Sequence, residues 1–223
     1  MQQYPIARVS GHLLAIFGEE RWLLDTGSPV SFGRSRSLEP DGQRFAIARE
    51  ALGLDAVSLS ALVGEPLSGL IGNDVLGCVD MEIHADAGCL RISSGSSDLD
   101  GHSFPLDEFM GVPVLEIESD EGTHSMFFDT GAQISYFQHE ALGRYEAAGE
   151  LLDFFPGMGE FTTDTYIVPF RLGPLALEFR CGRLPQLLGL SLSLAGVEGI
   201  IGNELCAGRR LGYFPRRGVM VLA

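Results

Sequence analysis

The sequence predicts a mostly β fold built as two pseudo-symmetric lobes, and three observations carry that reading. First, the stretch LLDTGSPVSF (23–32) returns as FFDTGAQISYF (127–137), and GLIGND (69–74) returns in the same order as GIIGNE (199–204). Second, the segments around these blocks are short, rich in β-branched and aromatic residues, and punctuated by glycine turns, which is the pattern of strands rather than helices. Third, SSGSSDLDGH (93–102) has no periodicity and the composition of a connector. Ordered self-similarity of this kind takes precedence over local signals. It divides the chain into an N-terminal lobe (1–95), a linker (96–102) and a C-terminal lobe (103–223), related by internal duplication.

Taken in chain order, each half opens with a hairpin-like pair of strands, ARVSGHLLAIFGEERWLL (7–24) and VPVLEIESDEGTHSMFF (112–128), that runs into Asp-Thr-Gly. The acidic run Glu116 to Glu121 reads as the solvated end of the second hairpin. Each half ends in a closing hairpin, MEIHADAGCLRIS (81–93) and LGYFPRRGVMVL (211–222). Helical signals are few. FAIAREALGL (45–54) is one candidate. QHEALGRYEAAGELL (138–152) is a stronger one, with Leu142, Tyr145 and Leu152 on one face and Glu140 and Arg144 spaced for an i, i+4 pair.

Composition excludes several functions. The formal net charge is −15, and all fifteen cations are arginine. Nucleic-acid binding needs clustered positive charge, and Schiff-base or Walker-type phosphate chemistry needs a lysine. The four cysteines (78, 89, 181, 206) have no paired spacing and are expected to be reduced core residues. The five histidines (12, 84, 102, 124, 139) have no metal-binding spacing and are expected on the surface or in loops, so no metal or cofactor is expected. No G-x-S-x-G supports serine-hydrolase chemistry. The N-terminal stretch lacks the pattern of a signal peptide, and 184–202 carries Gln186, Glu198 and several glycines, unlike a membrane span. The expectation is a soluble, cytoplasmic monomer with no membrane or nucleic-acid partner.

The chemistry concentrates in the repeats. An aspartate closing an apolar strand costs several kcal/mol if left buried and unpaired. A single Asp-Thr-Gly is an ordinary turn sequence. Two in matching frames, each followed by two aliphatics and a glycine, resemble the pepsin-like and retropepsin-like aspartic proteases, in a compact single-chain form. That resemblance implies the acid-protease fold of two β-barrel-like lobes with one or two short helices each and the active site between them. It implies an aspartic endopeptidase in which Asp25 and Asp129 form the catalytic dyad, acting on a peptide or protein in extended conformation. Two carboxyls sharing one proton can both activate water and protonate a leaving nitrogen; the aspartic proteases are the standard example of the split titration this requires.

Supporting roles follow from the same resemblance. Thr26 and Thr130 bond across to the opposite loop, and Gly27 and Gly131 have no Cβ, which permits close approach. Leu70, Ile71 and Gly72, with Ile200, Ile201 and Gly202, pack behind the catalytic loops. The hydroxyl of Ser28 is placed to donate to Asp25, whereas Ala132 at the matching position cannot donate from its side chain. One fewer donor leaves a carboxyl pair titrating higher, toward a mildly acidic optimum. No tyrosine lies between Asp25 and Gly72, where a pepsin-like flap would carry one. The second half is 26 positions longer between its aspartate and its second glycine block. Any covering hairpin is therefore expected from 154–170 of the second lobe, with Gly157 and Gly159 at its tip. The alternative function is a non-catalytic peptide-binding or scaffold module on a protease-like frame.

Overall fold

The computed structural model describes residues 1–155 and 158–223. The chain opens as a meander of Gln2–Val9, His12–Phe17 and Glu20–Leu24, with Ile6 opposite Ala15 and Leu14 opposite Leu23. Gly69–Ile71 returns parallel to Glu20–Leu24, setting Leu23 opposite Leu70 and Leu24 opposite Ile71. The second half repeats this plan. Val112–Ser119 and Gly122–Phe128 form an antiparallel pair, and Gly199–Ile201 lies parallel to the latter, with Phe127 opposite Ile200 and Phe128 opposite Ile201.

Side chains alternate across a strand, so neighbouring residues enter different cores. Leu24, Ile71, Phe128 and Ile201 join the main core, which draws on both halves. Leu23 and Leu70 face the other way, into a smaller cluster with Phe32, Leu54 and Leu59. Ile200 does the same in the second half, with Ile134, Tyr136 and Leu184. The result is a two-lobed, mostly β molecule.

The sheets do not follow the linear division of the chain. Among the described residues the first sheet has ten strands, and beyond Asp80–His84 it takes in Leu211–Phe214, Val219–Leu222 and His102–Pro105. The second sheet has eight strands and ends in Leu175–Gly182, Gly159–Leu172 and Glu146–Phe155.

The connector has neither helix nor strand from Ser94 to Gly101, yet it is tied down. Asp80 is buried and accepts from Arg216 at 2.8 Å, from Arg217 at 3.1 Å and from the backbone N–H of Ser97 at 2.9 Å. Arg216 also donates to the Ser94 carbonyl at 2.7 Å, and Arg217 lies over the ring of Phe214.

Both helix expectations are corrected. Within 45–54 the chain forms short strands, and Glu50–Ala51 turns back on Leu54–Asp55 through Leu52 and Gly53 at φ of 52° and 76°. The helix forms just beyond that segment, at Ala56–Val63, where the Asp55 carboxylate accepts from the N–H groups of Val57 and Ser58 and Gly64 closes the end at positive φ. Capping chemistry overrode the apolar periodicity. Within 138–152 only a 3-10 turn forms, Glu140–Arg144, before the strand Glu146–Phe155. Gly149 sits at φ 81° beside a register shift between Ala147 and Glu150, a bulge geometry that a helix cannot contain. Arg144 pairs with Glu121 of the neighbouring hairpin rather than with Glu140.

Two further expectations change. His12 and His124 are buried, 4% and 3% exposed, because each stands on an inward-facing strand position with a bonding partner. Cys181 and Cys206 are core residues, but Cys78 is exposed and Cys89 half-buried; all four are free. The acidic run 116–121 does form a hairpin end, between Val112–Ser119 and Gly122–Phe128. Among the described residues no helix is long and apolar enough to cross a membrane.

Replacing Asp80 by Asn removes the charge that both arginines share. The expected loss is about 1–3 kcal/mol, the range for charge-assisted bonds at a partly exposed pair. It should register as a lower urea midpoint at unchanged slope, with faster proteolysis between Ser94 and Gly101.

Candidate functional site

Each aspartate is the first residue after a strand, Asp25 after Glu20–Leu24 and Asp129 after Gly122–Phe128. The Asp25 N–H donates to the Ile71 carbonyl at 3.0 Å, and the Asp129 N–H to the Ile201 carbonyl at 2.9 Å. Ladder pairing thus holds both aspartates at equivalent places, and the loops then meet. The Thr26 hydroxyl donates to the Phe128 carbonyl at 2.8 Å and accepts from the Thr130 N–H at 3.0 Å. The Thr130 hydroxyl donates to the Leu24 carbonyl at 2.8 Å and accepts from the Thr26 N–H at 3.1 Å. Both threonines are fully buried.

The glycines make the approach possible. A Cβ on Gly27 would lie 2.3 Å from the Asp129 carboxyl carbon, and one on Gly131 would lie 2.6 Å from that of Asp25. Gly72 and Gly202 are crowded in the same way, by the Ser28 and Ile134 carbonyls at 2.6 and 2.3 Å from where a Cβ would stand.

A second layer fastens each loop from behind. The Asn73 side chain donates to the Thr26 carbonyl at 2.5 Å and to the Gly111 carbonyl at 2.7 Å, while the Tyr213 hydroxyl donates to its oxygen at 3.0 Å. Asn203 donates to the Thr130 carbonyl at 3.3 Å and to the Gly11 carbonyl at 2.8 Å, and Arg8 donates to its oxygen. Each loop is therefore tied to the hairpin turn of the other half. Gly72 donates to the Ser31 hydroxyl, which donates to Asp74; Gly202 donates to the Ser135 hydroxyl, which donates to Glu204.

The two carboxyl groups stand against each other's loops and line one cavity, and both titrate above the ordinary carboxylate range. For Asp25 the shift is large, caused first by removal from water and then by the charge and hydrogen bond of Asp129; backbone N–H groups of Ser28 and Gly27 oppose it. For Asp129 burial raises the value, and the hydrogen bond from Asp25 and the N–H groups of Gly131, Ala132 and Gly27 pull it down. Interacting carboxyls titrate as a pair. Asp129 is backed by the N–H groups of Gly131 at 2.8 Å and Ala132 at 3.2 Å, and Asp25 by that of Ser28 at 2.8 Å. The Ser28 hydroxyl does not donate to Asp25. It donates instead to the Val30 carbonyl at 2.9 Å, since the turn presents the backbone N–H to the carboxylate and directs the side chain away. The asymmetry expected from Ser28 against Ala132 is absent, because both positions act through the backbone.

The aspartates face a cavity of about 100 Å³ between the lobes. Its first-lobe wall includes Phe32, Leu54 and Leu59; its second-lobe wall includes Tyr136, Asp153, Phe161 and Leu184. The hairpin of Glu146–Phe155 and Gly159–Leu172 brings Phe154, Phe155 and Phe161 to the site, as expected of 154–170. Gly157 lies outside the described residues. A covering element is not confined to the second lobe, however, because Leu52 at the turn of the Glu50–Ala51 hairpin also lines the cavity.

All the site residues read from the sequence lie at this junction or directly behind it. Those missed are Asn73 and Asn203, Ser31 and Ser135, His12, Tyr136 and Asp153. The first four were marked by the repeat itself, in the Gly-Asn-acidic and aliphatic-Ser-aromatic frames. His12, whose Nδ1 lies 2.9 Å from the Gly131 carbonyl, and Asp153 had no sequence signal. Among the described residues no group of three His, Cys, Asp or Glu side chains is placed to hold a metal.

No protein-family model matches the sequence, and comparison with curated proteins gives no match. Among solved structures, the chain is similar to the aspartic proteinase from Irpex lacteus, with a TM-score of 0.56 and 12% identity over 100% of this chain and 96% of that one. At that identity the likeness speaks for the fold.

Two outcomes test this geometry. Thr26→Val leaves the buried Thr130 N–H and Phe128 carbonyl without partners, at roughly 1–3 kcal/mol each, while Thr26→Ser keeps both bonds; chemical denaturation should separate the two variants widely. Because the folded pair holds its proton above the unfolded carboxylate value, the folded state binds more protons and loses stability as pH rises through the raised range. Asp25→Asn should therefore gain stability relative to the parent between pH 4 and pH 7, as read from denaturant midpoints.

Proposed function

We propose that the chain is an aspartic endopeptidase, in which Asp25 and Asp129 share one proton and activate water against a peptide bond. One observation carries this reading: two carboxyls, each packed against the glycine of the opposite loop, on two loops locked by crossed threonines and facing one cavity between the lobes. The two-lobed β-rich fold and its likeness to an aspartic proteinase support it. The matched blocks support an origin by internal duplication.

In this mechanism Asp129, better supplied with backbone donors, carries the negative charge and takes a proton from water as the oxygen attacks the carbonyl carbon. Asp25 gives its proton to the carbonyl oxygen, yielding a tetrahedral diol. As the C–N bond breaks, a diol hydroxyl returns its proton to Asp25 and Asp129 delivers its proton to the leaving nitrogen. The dyad ends as it began. The substrate is an extended peptide: Glu146–Phe155 is the terminal strand of its sheet, with one edge free among the described pairings, and Asp153 to Phe155 on it line the cavity.

Incubation with a proteome-derived peptide library, followed by mass spectrometry of new termini, tests the reading. Asp25→Asn and Asp129→Asn should each abolish cleavage to the same background, and the double variant should lose nothing more, because groups acting as one unit are non-additive. Activity should persist above the ordinary carboxylate range near pH 4 and fall as pH rises through the pair's raised value. Binding of a peptide that mimics the tetrahedral intermediate, with no cleavage by the parent protein, would favour the peptide-binding module instead.

A further inference from the structure

The two walls of the cavity differ in chemistry although they occupy matching places. In the aliphatic-Ser-aromatic frame the first lobe has Phe32 and the second has Tyr136. Phe32 sits among Leu54, Leu59 and Leu70, and Leu23, Ala51 and Leu52 extend that apolar face of the cavity. On the other wall the Tyr136 hydroxyl donates to the Asp153 carboxylate, which also accepts from the Phe154 N–H at 2.8 Å. Asp153 is 7% exposed and lines the cavity. A carboxylate is acceptor-only with about four lone-pair sites, and two are used here. Among the described residues no arginine or histidine pairs with it. A buried carboxylate without a cation is costly, and a well-placed guanidinium or ammonium that bonds its free lone pairs offsets part of that cost.

The surroundings point the same way. Within the two strands of this wall, 146–155 and 159–170 hold five acidic residues and no arginine, in a chain of net charge −15. Such a field draws cationic ligands toward the cleft and repels acidic ones.

The geometry points to Asp153 as a specificity-determining residue. The substrate is a peptide with a bulky apolar side chain on one side of the scissile bond, against Phe32, and an arginine or lysine on the other, against Asp153. Tyr136 is a positioning residue that holds the carboxylate toward the cavity. This rests on the protease reading for its substrate, and the test separates the two.

Two kinds of probe are needed. One is a set of cleavable peptides identical except for Arg or Leu on either side of the scissile bond. The other is a matched pair of uncleavable peptides carrying a hydroxyethylene isostere, with the same exchange. The parent should favour Arg by about 10- to 100-fold in kcat/KM and in Kd, the range for a charge-assisted bond. Asp153→Asn keeps the shape and the Tyr136 partner; it should erase the Arg preference, with kcat/KM and Kd for the Arg peptide falling about 10- to 100-fold further than those for the Leu peptide. Tyr136→Phe should weaken the preference without erasing it. Cleavage with equal use of Arg and Leu would overturn the proposal and leave the dyad standing. An equal loss for both peptides in Asp153→Asn would assign the residue a purely structural role and likewise overturn it. Preference for the Arg isostere without cleavage of any peptide would uphold the pocket and remove the protease reading.

Discussion

Two buried threonine hydroxyls hold the centre of this molecule together. Each donates to a carbonyl of the opposite half and accepts an N–H from the opposite loop, so four otherwise unpaired backbone groups are satisfied by two side chains. Without them the loops would carry unsatisfied polar groups into a buried junction, at a cost that no packing there offsets. The close approach they enforce is also what places the carboxyls within hydrogen-bonding reach. The raised titration of the aspartates is thus a consequence of how the halves are joined. The glycines beside them are required for the same reason, since a methyl group at either position would occupy the space of the opposing carboxyl.

The frame is close to symmetric and the walls are not. Asn73 and Asn203, Ser31 and Ser135, and Asp74 and Glu204 make equivalent bonds, and the turns Ser10-Gly11 and Met110-Gly111 have nearly equal φ, 49° and 82° against 52° and 83°. These positions bear on whether the loops form at all, which leaves little latitude. The positions facing the cavity bear only on what enters it. There Phe32 stands opposite Tyr136, and a two-residue turn with Leu52 stands opposite a long hairpin with three phenylalanines.

The misread helices show where sequence patterns lose their force. In 138–152 the apolar spacing suits a helix, but Gly149 adopts a left-handed bulge and the long strand Gly159–Leu172 supplies hydrogen-bond partners. A helix satisfies its backbone locally, and a strand does so through distant residues that local spacing cannot report. The helix Ala56–Val63 is the reverse case: Asp55, Ser58 and Gly64 cap it locally, and the apolar spacing of 45–54 drew the expectation away from them. The linker shows a related limit. Its composition is that of free coil, yet Asp80, Arg216 and Arg217 converge on it from positions far apart in the chain.

The sequence by itself determined the mostly β class, the two-lobed plan and the residues at the junction, because these depend on ordered repeats that register in one dimension. Asp25, Asp129, the threonines and the glycines were all legible as matched blocks. Tertiary structure alone decided which donors face the carboxyls, that the Ser28 hydroxyl turns away, and that His12 is buried against Gly131. It also brought Asp153 to Tyr136, 17 positions earlier, inside the cavity. The physical reason is the same throughout. A repeated backbone frame writes itself into the sequence at fixed spacing, whereas the direction of a hydroxyl and the neighbour across a cleft follow from strand pairing and turn geometry between residues that no spacing relates.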